Sequence, residues 1–408
     1  MKVLLVHSYC FPTGGDWRYV ESVYGILKRR GEEVRVFGIR PETGVLPEND
    51  DFRLVTSKIY LYDRRNGRNW RENLADAAAI LFNVRVFRSL NSCLREFSPD
   101  VIQLNSVHSA LSPSALAAVL WHRIRRKCKV FWRVLDYKLI CPNRTLLDAQ
   151  LNKCTKCVAK TIPYPALLKR CKNGSFAASM IAFLENLEMN VLLRAFKIDA
   201  LFAQSDFSAG LLGEGPLRRF RKVVLPNPIE QQAARPVVGK VYDVIYFGRL
   251  STEKGLVECL PVLARLGLSV AIVGDGPDAK SVREFSERHP KIVFFGPLWG
   301  ERLSEILTRS AVTIVPSTWY EVSPYVILES YGHGVPVLAS DNGGSKDIVL
   351  AGVTGEVYES AVEGSFEATL IGMLANLERY EESAIRGYLF ENHSEDAYYS
   401  RFVSEVSR

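Results

Sequence analysis

The 408-residue chain has no run of about 18 consecutive apolar residues, so the sequence carries no sign of a membrane-spanning helix. Its first residues, MKVLLVHSYC, hold one lysine and a short apolar stretch, but no small-residue cleavage site follows. They read as a first β-strand and not as a leader. An Asp-x-Asp pair for a divalent ion is missing throughout, which disfavours metal-bridged phosphate chemistry. The G-x-x-x-x-G-K-[ST] spacing of a Walker A loop is absent too. No known nucleic-acid module and no basic stretch interleaved with aromatics occurs, so no nucleic-acid partner is expected.

What is present is ordinary globular material: 47% hydrophobic, 24% charged and 11% aromatic residues. That excludes a disordered, collagen-like or low-complexity protein, and the length suits two large domains or three small ones. The charge is lopsided. Residues 1–200 carry 32 Lys and Arg against 18 Asp and Glu, whereas residues 201–408 carry 20 against 27. A basic half suggests an anionic partner such as a membrane surface or a phosphorylated substrate, with Arg64-Arg65-Arg68 and Arg123 to Lys129 as its clusters. An ordinary solvated bias is the plainer alternative.

Eight cysteines without a leader point to a reducing compartment, hence to no disulfides. Four of them, Cys141, Cys154, Cys157 and Cys171, are spaced C-x12-C-x2-C-x13-C. The inner pair has zinc-ligand spacing, so a structural zinc is one reading. Four unrelated thiols, some buried as small hydrophobes, is the other.

Along the chain, KVLLVH (2–7), a glycine-bearing loop, a helical pattern to Lys28 and EVRVFG form a β-α-β unit. DVIQLN (100–105), KVFWRVLD (129–136) and DALFAQS (199–205) are further buried strands, and 137–175 reads as loop. The pattern breaks at Pro226-Asn227-Pro228, and QQAARPVVGK (231–240) reads as a linker. YDVIYFG (242–248) then restarts the same grammar, with LSVAIVG, KIVFFG, AVTIVPS and VPVLAS as strands. The expectation is two Rossmann-like, doubly wound parallel domains, 1–228 and 240–389, facing across a cleft, with 390–408 packing back on the first.

Two segments of the second half carry chemistry. In WYEVSPYVILESYGHGVPV (319–337), Ser323 before Pro324 predicts a helix start, whose amides and partial positive charge suit a phosphate. Glu321 stands just before that start and Glu329 lies inside the helix. The two carboxylates could hold hydroxyls at two points of a polar ligand, or merely satisfy the helix end and face solvent. In GRLSTEKG (248–255), a strand-to-helix loop, Arg249 and Lys254 place two cations at the carboxyl end of the sheet, able to grip phosphate unless Glu253 pairs one of them. Gly14-Gly15 give the first half a loop whose backbone can approach a ligand closely.

These motifs, with VGDGP (273–277), PSTWYE and GHGVPVLASDNGG (332–344), resemble those of GT-B glycosyltransferases of the family 4 type, glycosyl transferases group 1. The resemblance spans nearly the whole chain. It implies two facing Rossmann-like domains and transfer of a sugar from a UDP- or GDP-linked donor to a hydroxyl, with retention and without a metal cofactor. It implies that Arg249 and Lys254 bind the donor diphosphate, Glu321 the sugar, Glu329 the ribose and Gly15 the phosphates. Backbone amides would come from Ser323, Pro324 and Tyr325. The cysteine-rich insert resembles one carried by a subset of such enzymes.

The chain departs from the pattern at Val134-Leu135-Asp136-Tyr137, where relatives place a histidine. Asp136 is the nearest polar substitute, and His108 either lines the acceptor side or is a satisfied loop histidine. With a leaving-phosphate oxygen able to take the acceptor proton, the missing histidine weakens the site detail more than the reaction class. A cytoplasmic enzyme, peripheral on the inner membrane face and acting on a lipid-linked or oligosaccharide acceptor, fits the charge asymmetry. A non-catalytic subunit that binds nucleotide-sugar is the alternative.

Overall fold

Short apolar runs shielded on both faces pair in parallel and need crossovers between them, and that logic shapes the whole chain. The computed structural model describes residues 1–10, 14–40, 50–56, 70–195, 197–230 and 239–408. The Arg64-Arg65-Arg68 cluster and most of the 231–240 linker lie outside the described residues. The chain divides into two units, Met1–Leu225 with Tyr399–Arg408, and Pro226–Tyr398. The boundary therefore falls at the Pro226-Asn227-Pro228 break itself.

The first unit is built on β1 (Lys2–Tyr9), β2 (Glu33–Ile39), β3 (Phe52–Val55), β4 (Val101–Asn105), β5 (Lys129–Arg133), β6 (Ala200–Ala203) and β7 (Lys222–Val224). All pair in parallel, in the order β3-β2-β1-β4-β5-β6-β7. The order reverses between β1 and β4, the point at which such sheets open a ligand crevice beyond their carboxyl ends. Val3 to Val6 are wholly buried, and Val101, Ile102 and Leu104 alongside them complete the centre of the core. Arg133, ending β5, is also wholly buried. Its guanidinium donates to the carbonyls of Ala203 and Leu225 and lies over the Tyr19 ring.

Between β5 and β6 comes the insert, mostly turns, followed by the helix Phe176–Ala195. This helix, mean hydropathy 1.3, is long and apolar enough by composition to cross a membrane, although its apolar run is broken by Glu185 and Glu188. Here it packs against the helices Trp70–Leu81, Ser112–Arg125 and Pro165–Leu168. Glu185 in its middle is buried and paired with Lys138 at 2.6 Å.

The second unit repeats the design with β8 (Tyr242–Phe247), β9 (Val270–Val273), β10 (Ile292–Gly296), β11 (Ser310–Val315), β12 (Val337–Ser340) and β13 (Gly355–Tyr358). The order is β10-β9-β8-β11-β12-β13, again parallel, with its switch between β8 and β11. The doubly wound expectation holds in both units.

The final helix, Glu395–Ser407, returns the chain to the first unit only from Tyr399, later than the expected 390. Phe402 is wholly buried with its ring edge-on to Phe202, Tyr399 donates to Glu32 at 2.6 Å, and the Val406 carbonyl accepts from Lys129 Nζ at 2.8 Å.

Candidate functional site

The loop after β8 runs Gly248 to Gly255 and is interlocked with its neighbours. Gly248 N donates to Val273 O and Leu250 N to Asp275 O, so the GRL and VGDG segments are laced together. The fit leaves no room for side chains. A Cβ on Gly274 would lie 1.9 Å from Gly248 O, and one on Gly255, where φ is +72°, would lie 2.1 Å from Pro316 O. This close approach to Pro316 sets Lys254 beside the segment that follows β11.

Lys254 Nζ reaches Glu321 Oε1 at 2.7 Å, and Ser317 Oγ donates to the same oxygen. The expected alternative, a pairing of this loop's lysine with Glu253, does not occur; Glu253 accepts from Ser251 Oγ instead. Glu321 is buried. Burial alone would push its carboxyl up, but the Lys254 ammonium and the Ser317 hydroxyl outweigh that and hold it below the usual carboxylate range. Its backbone is pinned as well: Glu321 bridges Gly343 in parallel, and Gly344 N donates to Glu321 O at 2.7 Å. Ser317 is fixed in turn, its carbonyl accepting from Ser340 Oγ and Asn342 Nδ2.

The helix expected at Ser323 begins two residues later, at Tyr325, with Pro324 extended in the capping position. Ser323 therefore does not cap it. Its hydroxyl is buried without a hydrogen-bond partner among the described residues, while its carbonyl accepts from Asn227 Nδ2 at 3.1 Å. The first helical bond is Ile327 N to Pro324 O, so the Tyr325 and Val326 amides head the helix. Val326 lies against Gly248, which sets this helix start next to the Arg249 loop. Arg249 is exposed and makes no ion pair among the described residues. Glu329 is half-buried on the same helix, one turn beyond Val326. Arg249, Lys254, Glu321, Ser323, Pro324, Tyr325 and Glu329 thus belong to three adjoining segments of one unit.

The other expected residues stand in the first unit, at the carboxyl ends of its central strands. Gly14 (φ +140°) takes the capping position of the helix Gly15–Arg29, and Asp16 Oδ1 accepts from the first-turn amide of Trp17 at 2.9 Å. His108, after β4, and Asp136, after β5, meet at 3.0 Å between Nε2 and Oδ2. Burial would raise the Asp136 carboxyl, yet the His108 imidazole, Arg144 and the Lys138 amide bring it down to about 2. His108 Nδ1 is buried without a hydrogen-bond partner among the described residues. Leu135 supplies no polar atom where a histidine was expected; the His108–Asp136 pair is the polar group that stands beside it.

The four insert cysteines are unoxidised, with Cys141 and Cys157 buried. Among the described residues no three His, Cys, Asp or Glu side chains form a group that could hold a metal ion, although Cys141, Cys154 and Cys171 lie near enough to Cys157 to raise its thiol further. Burial pushes the Cys157 thiol up to about 12 and Cys171 up to about 11, which favours neutral thiols. The basic cluster Arg123 to Lys129 is partly committed to the fold. Arg123 donates to Lys197 O and Asp199, and Lys129 to Val406 O.

Sequence reasoning missed Ser317, Asn342 and Asn227, the groups that orient Glu321 and the Ser323 loop. Asn227 had a signal, lying in the proline-flanked break between the two halves. Ser317 and Asn342 had one as well, each lying inside a quoted motif, PSTWYE and GHGVPVLASDNGG.

Residues 229–390 match the family glycosyl transferases group 1. A GDP-mannose-dependent alpha-mannosyltransferase of Corynebacterium glutamicum is 35% identical over 136 residues, 33% of this chain and 30% of that protein. Its namesake from Mycolicibacterium smegmatis is 31% identical over 156 residues, 38% of this chain and 39% of that protein. The chain thus spans between about a third and two fifths of the length of these curated relatives. Among solved structures, sucrose-phosphate synthase from Thermosynechococcus elongatus superposes with a TM-score of 0.70 at 14% identity, covering 99% of this chain and 97% of that one. Anabaena HepE in complex with UDP does so with a TM-score of 0.65 at 14% identity, covering 100% of both. At these identities the likeness establishes the fold.

Proposed function

We propose, for a chain whose residues 229–390 form a glycosyl transferases group 1 domain within a GT-B fold, that it transfers a sugar from a UDP- or GDP-linked donor to a hydroxyl acceptor with retention of configuration. The observation that carries this reading is the Lys254–Glu321 pair, with Glu321 four residues before the helix Tyr325–Gly332 and the buried Ser323 hydroxyl, partnerless among the described residues, in the intervening segment. A paired carboxylate, a cation and helix amides suit a ligand that is a polyol at one end and a diphosphate at the other.

In this reaction the bond from the anomeric carbon to the donor phosphate oxygen breaks, and the acceptor oxygen bonds to that carbon from the same face. The acceptor proton passes to the departing phosphate oxygen. Negative charge collects on the diphosphate, where Arg249, Lys254 and the Tyr325 and Val326 amides stabilise it, a preorganised electrostatic contribution. These cations supply the neutralisation that elsewhere falls to a divalent ion, which is the basis for proposing metal independence. Glu321 orients sugar hydroxyls and Glu329 the ribose. Gly14, Gly15, His108 and Asp136 belong to the acceptor-side unit.

The names of the mannosyltransferase relatives favour a GDP-linked donor, and the UDP complex of a structural neighbour keeps UDP in play. Polysaccharide or glycolipid assembly, with a lipid-linked or oligosaccharide acceptor at the cytoplasmic face of an anionic membrane, suits the basic first half. A thermal-shift panel of nucleotide-sugars tests the donor. One donor should raise the melting temperature, and Arg249→Ala and Glu321→Ala should abolish the shift and the turnover. Full activity in both variants overturns the assignment. Tight donor binding with no transfer to any hydroxyl acceptor would instead favour the non-catalytic subunit that Leu135 suggests.

A further inference from the structure

Residues 149–184 hold Lys153, Lys156, Lys160, Lys169, Arg170 and Lys172 and not one acidic residue, though Lys169 is paired with the flanking Asp148 at 2.8 Å. The same segment lifts apolar side chains into solvent: Leu151 is 51% exposed, Ile162 54%, Leu168 76% and Phe176 54%. Its base is rigid. Cys157, Val158, Pro163, Pro165 and Ala166 are buried, and the short helix Pro165–Leu168 packs on Phe176–Ala195. Tyr164 is exposed with the Lys160 ammonium 5.1 Å above its ring, an aromatic and a cation held together as at a membrane–water boundary. The apolar run continues along Phe176–Ala195, where Leu184 and Val191 stand exposed in a groove with Leu81.

Large apolar side chains held outward on a firm base cost free energy in water and gain it when covered. Their cover must tolerate the four exposed cations Lys153, Lys156, Lys160 and Arg170 and bring no positive charge of its own. A second copy of this face would set four exposed cations against four. An anionic bilayer provides both the opposite charge and an apolar layer a few ångströms beneath it.

We propose that the insert is a membrane-docking element, seating Leu151, Ile162, Leu168 and Phe176 among the headgroups of an anionic bilayer while the exposed Lys153, Lys156, Lys160 and Arg170 engage lipid phosphates. The site of attachment thereby moves from Arg123–Lys129, whose end members are bound within the fold, to the insert. The proposal builds on the membrane-face part of the functional reading, but its test does not depend on transfer.

The full chain is sedimented with phosphatidylcholine vesicles with and without phosphatidylglycerol. Binding is expected only with phosphatidylglycerol, and it should weaken as salt is raised. Lys153→Gln, Lys156→Gln and Lys160→Gln together should lower partitioning roughly a hundredfold. Ile162→Ser with Leu168→Ser should lower it about tenfold. Arg125→Gln, Arg126→Gln and Lys127→Gln together should change it far less. All these positions are exposed, and each variant should keep the parent's melting temperature.

Absence of vesicle binding, or binding that the insert variants leave intact, overturns the proposal; so does self-association that hides the insert. The donor thermal shift is followed in parallel. Vesicle binding without a nucleotide-sugar shift would sink the transferase reading alone, and a shift without vesicle binding would sink the docking element alone.

Discussion

Lys254 Nζ and Glu321 Oε1 stand 2.7 Å apart, joining a loop that follows β8 to a segment that follows β11, across the point where the strand order reverses. Neither residue can be removed without leaving the other's charge exposed to a poorly solvated surround. Lys254→Met should therefore cost about 3 kcal/mol of stability, since it strands a buried carboxylate. Lys254→Met combined with Glu321→Gln should recover part of that loss while transfer stays abolished. Chemical denaturation of the four members of the cycle measures it, and additive losses would contradict the pairing.

Asn227 holds the Ser323 carbonyl through its side-chain Nδ2, and its backbone carbonyl accepts from His393 Nδ1 at 2.8 Å. Asn227→Asp keeps the shape but faces one acceptor with another. It should cost about 1–3 kcal/mol, more than Asn227→Ala, and should weaken donor affinity beyond any change in melting temperature. Donor titrations of the two variants decide the matter; equal behaviour would show that the amide is not orienting the loop.

The His108–Asp136 pair predicts an acid-side signature. With its carboxyl brought down to about 2 from the ordinary 3.8, Asp136 stabilises the fold at every pH above 3.8, and this is lost as the pH falls toward 2. The contribution is on the order of 2 kcal/mol at neutral pH. Asp136→Asn should lower stability by about that much at pH 7 and by progressively less below pH 4. Parallel curves for the two proteins across this range would refute it.

Gly255→Ala should be far more damaging than an exposed glycine substitution elsewhere. Its Cβ would fall 2.1 Å from the Pro316 carbonyl oxygen in a backbone conformation that side chains avoid. A loss of more than about 2 kcal/mol is expected, and the displaced loop should carry Lys254 away from Glu321. Melting curves and donor shifts recorded together would check both parts.

Much of the architecture was legible because buried parallel strands announce themselves: KVLLVH, DVIQLN, YDVIYFG and AVTIVPS all became central strands. The donor-side motifs were legible for the same local reason, each lying in a strand-to-helix loop. The helix start was misplaced because Ser323 reads as a cap in sequence, whereas its carbonyl is claimed by Asn227, 96 residues away. Such long-range hydrogen bonds leave no periodic trace. The length and apolar character of Phe176–Ala195 escaped notice because Glu185 and Glu188 interrupt its apolar run.

The wholly buried Phe402 and the tie from Val406 to Lys129 have a consequence for how the protein is made. The first unit cannot finish its core until Tyr399–Arg408 have left the ribosome, by which time the second unit has already been synthesised. Synthesis therefore runs one lobe as an unfinished intermediate beside a complete one. A fragment cut at Leu225 would inherit the same gap, with the Phe202 ring bare where Phe402 belongs.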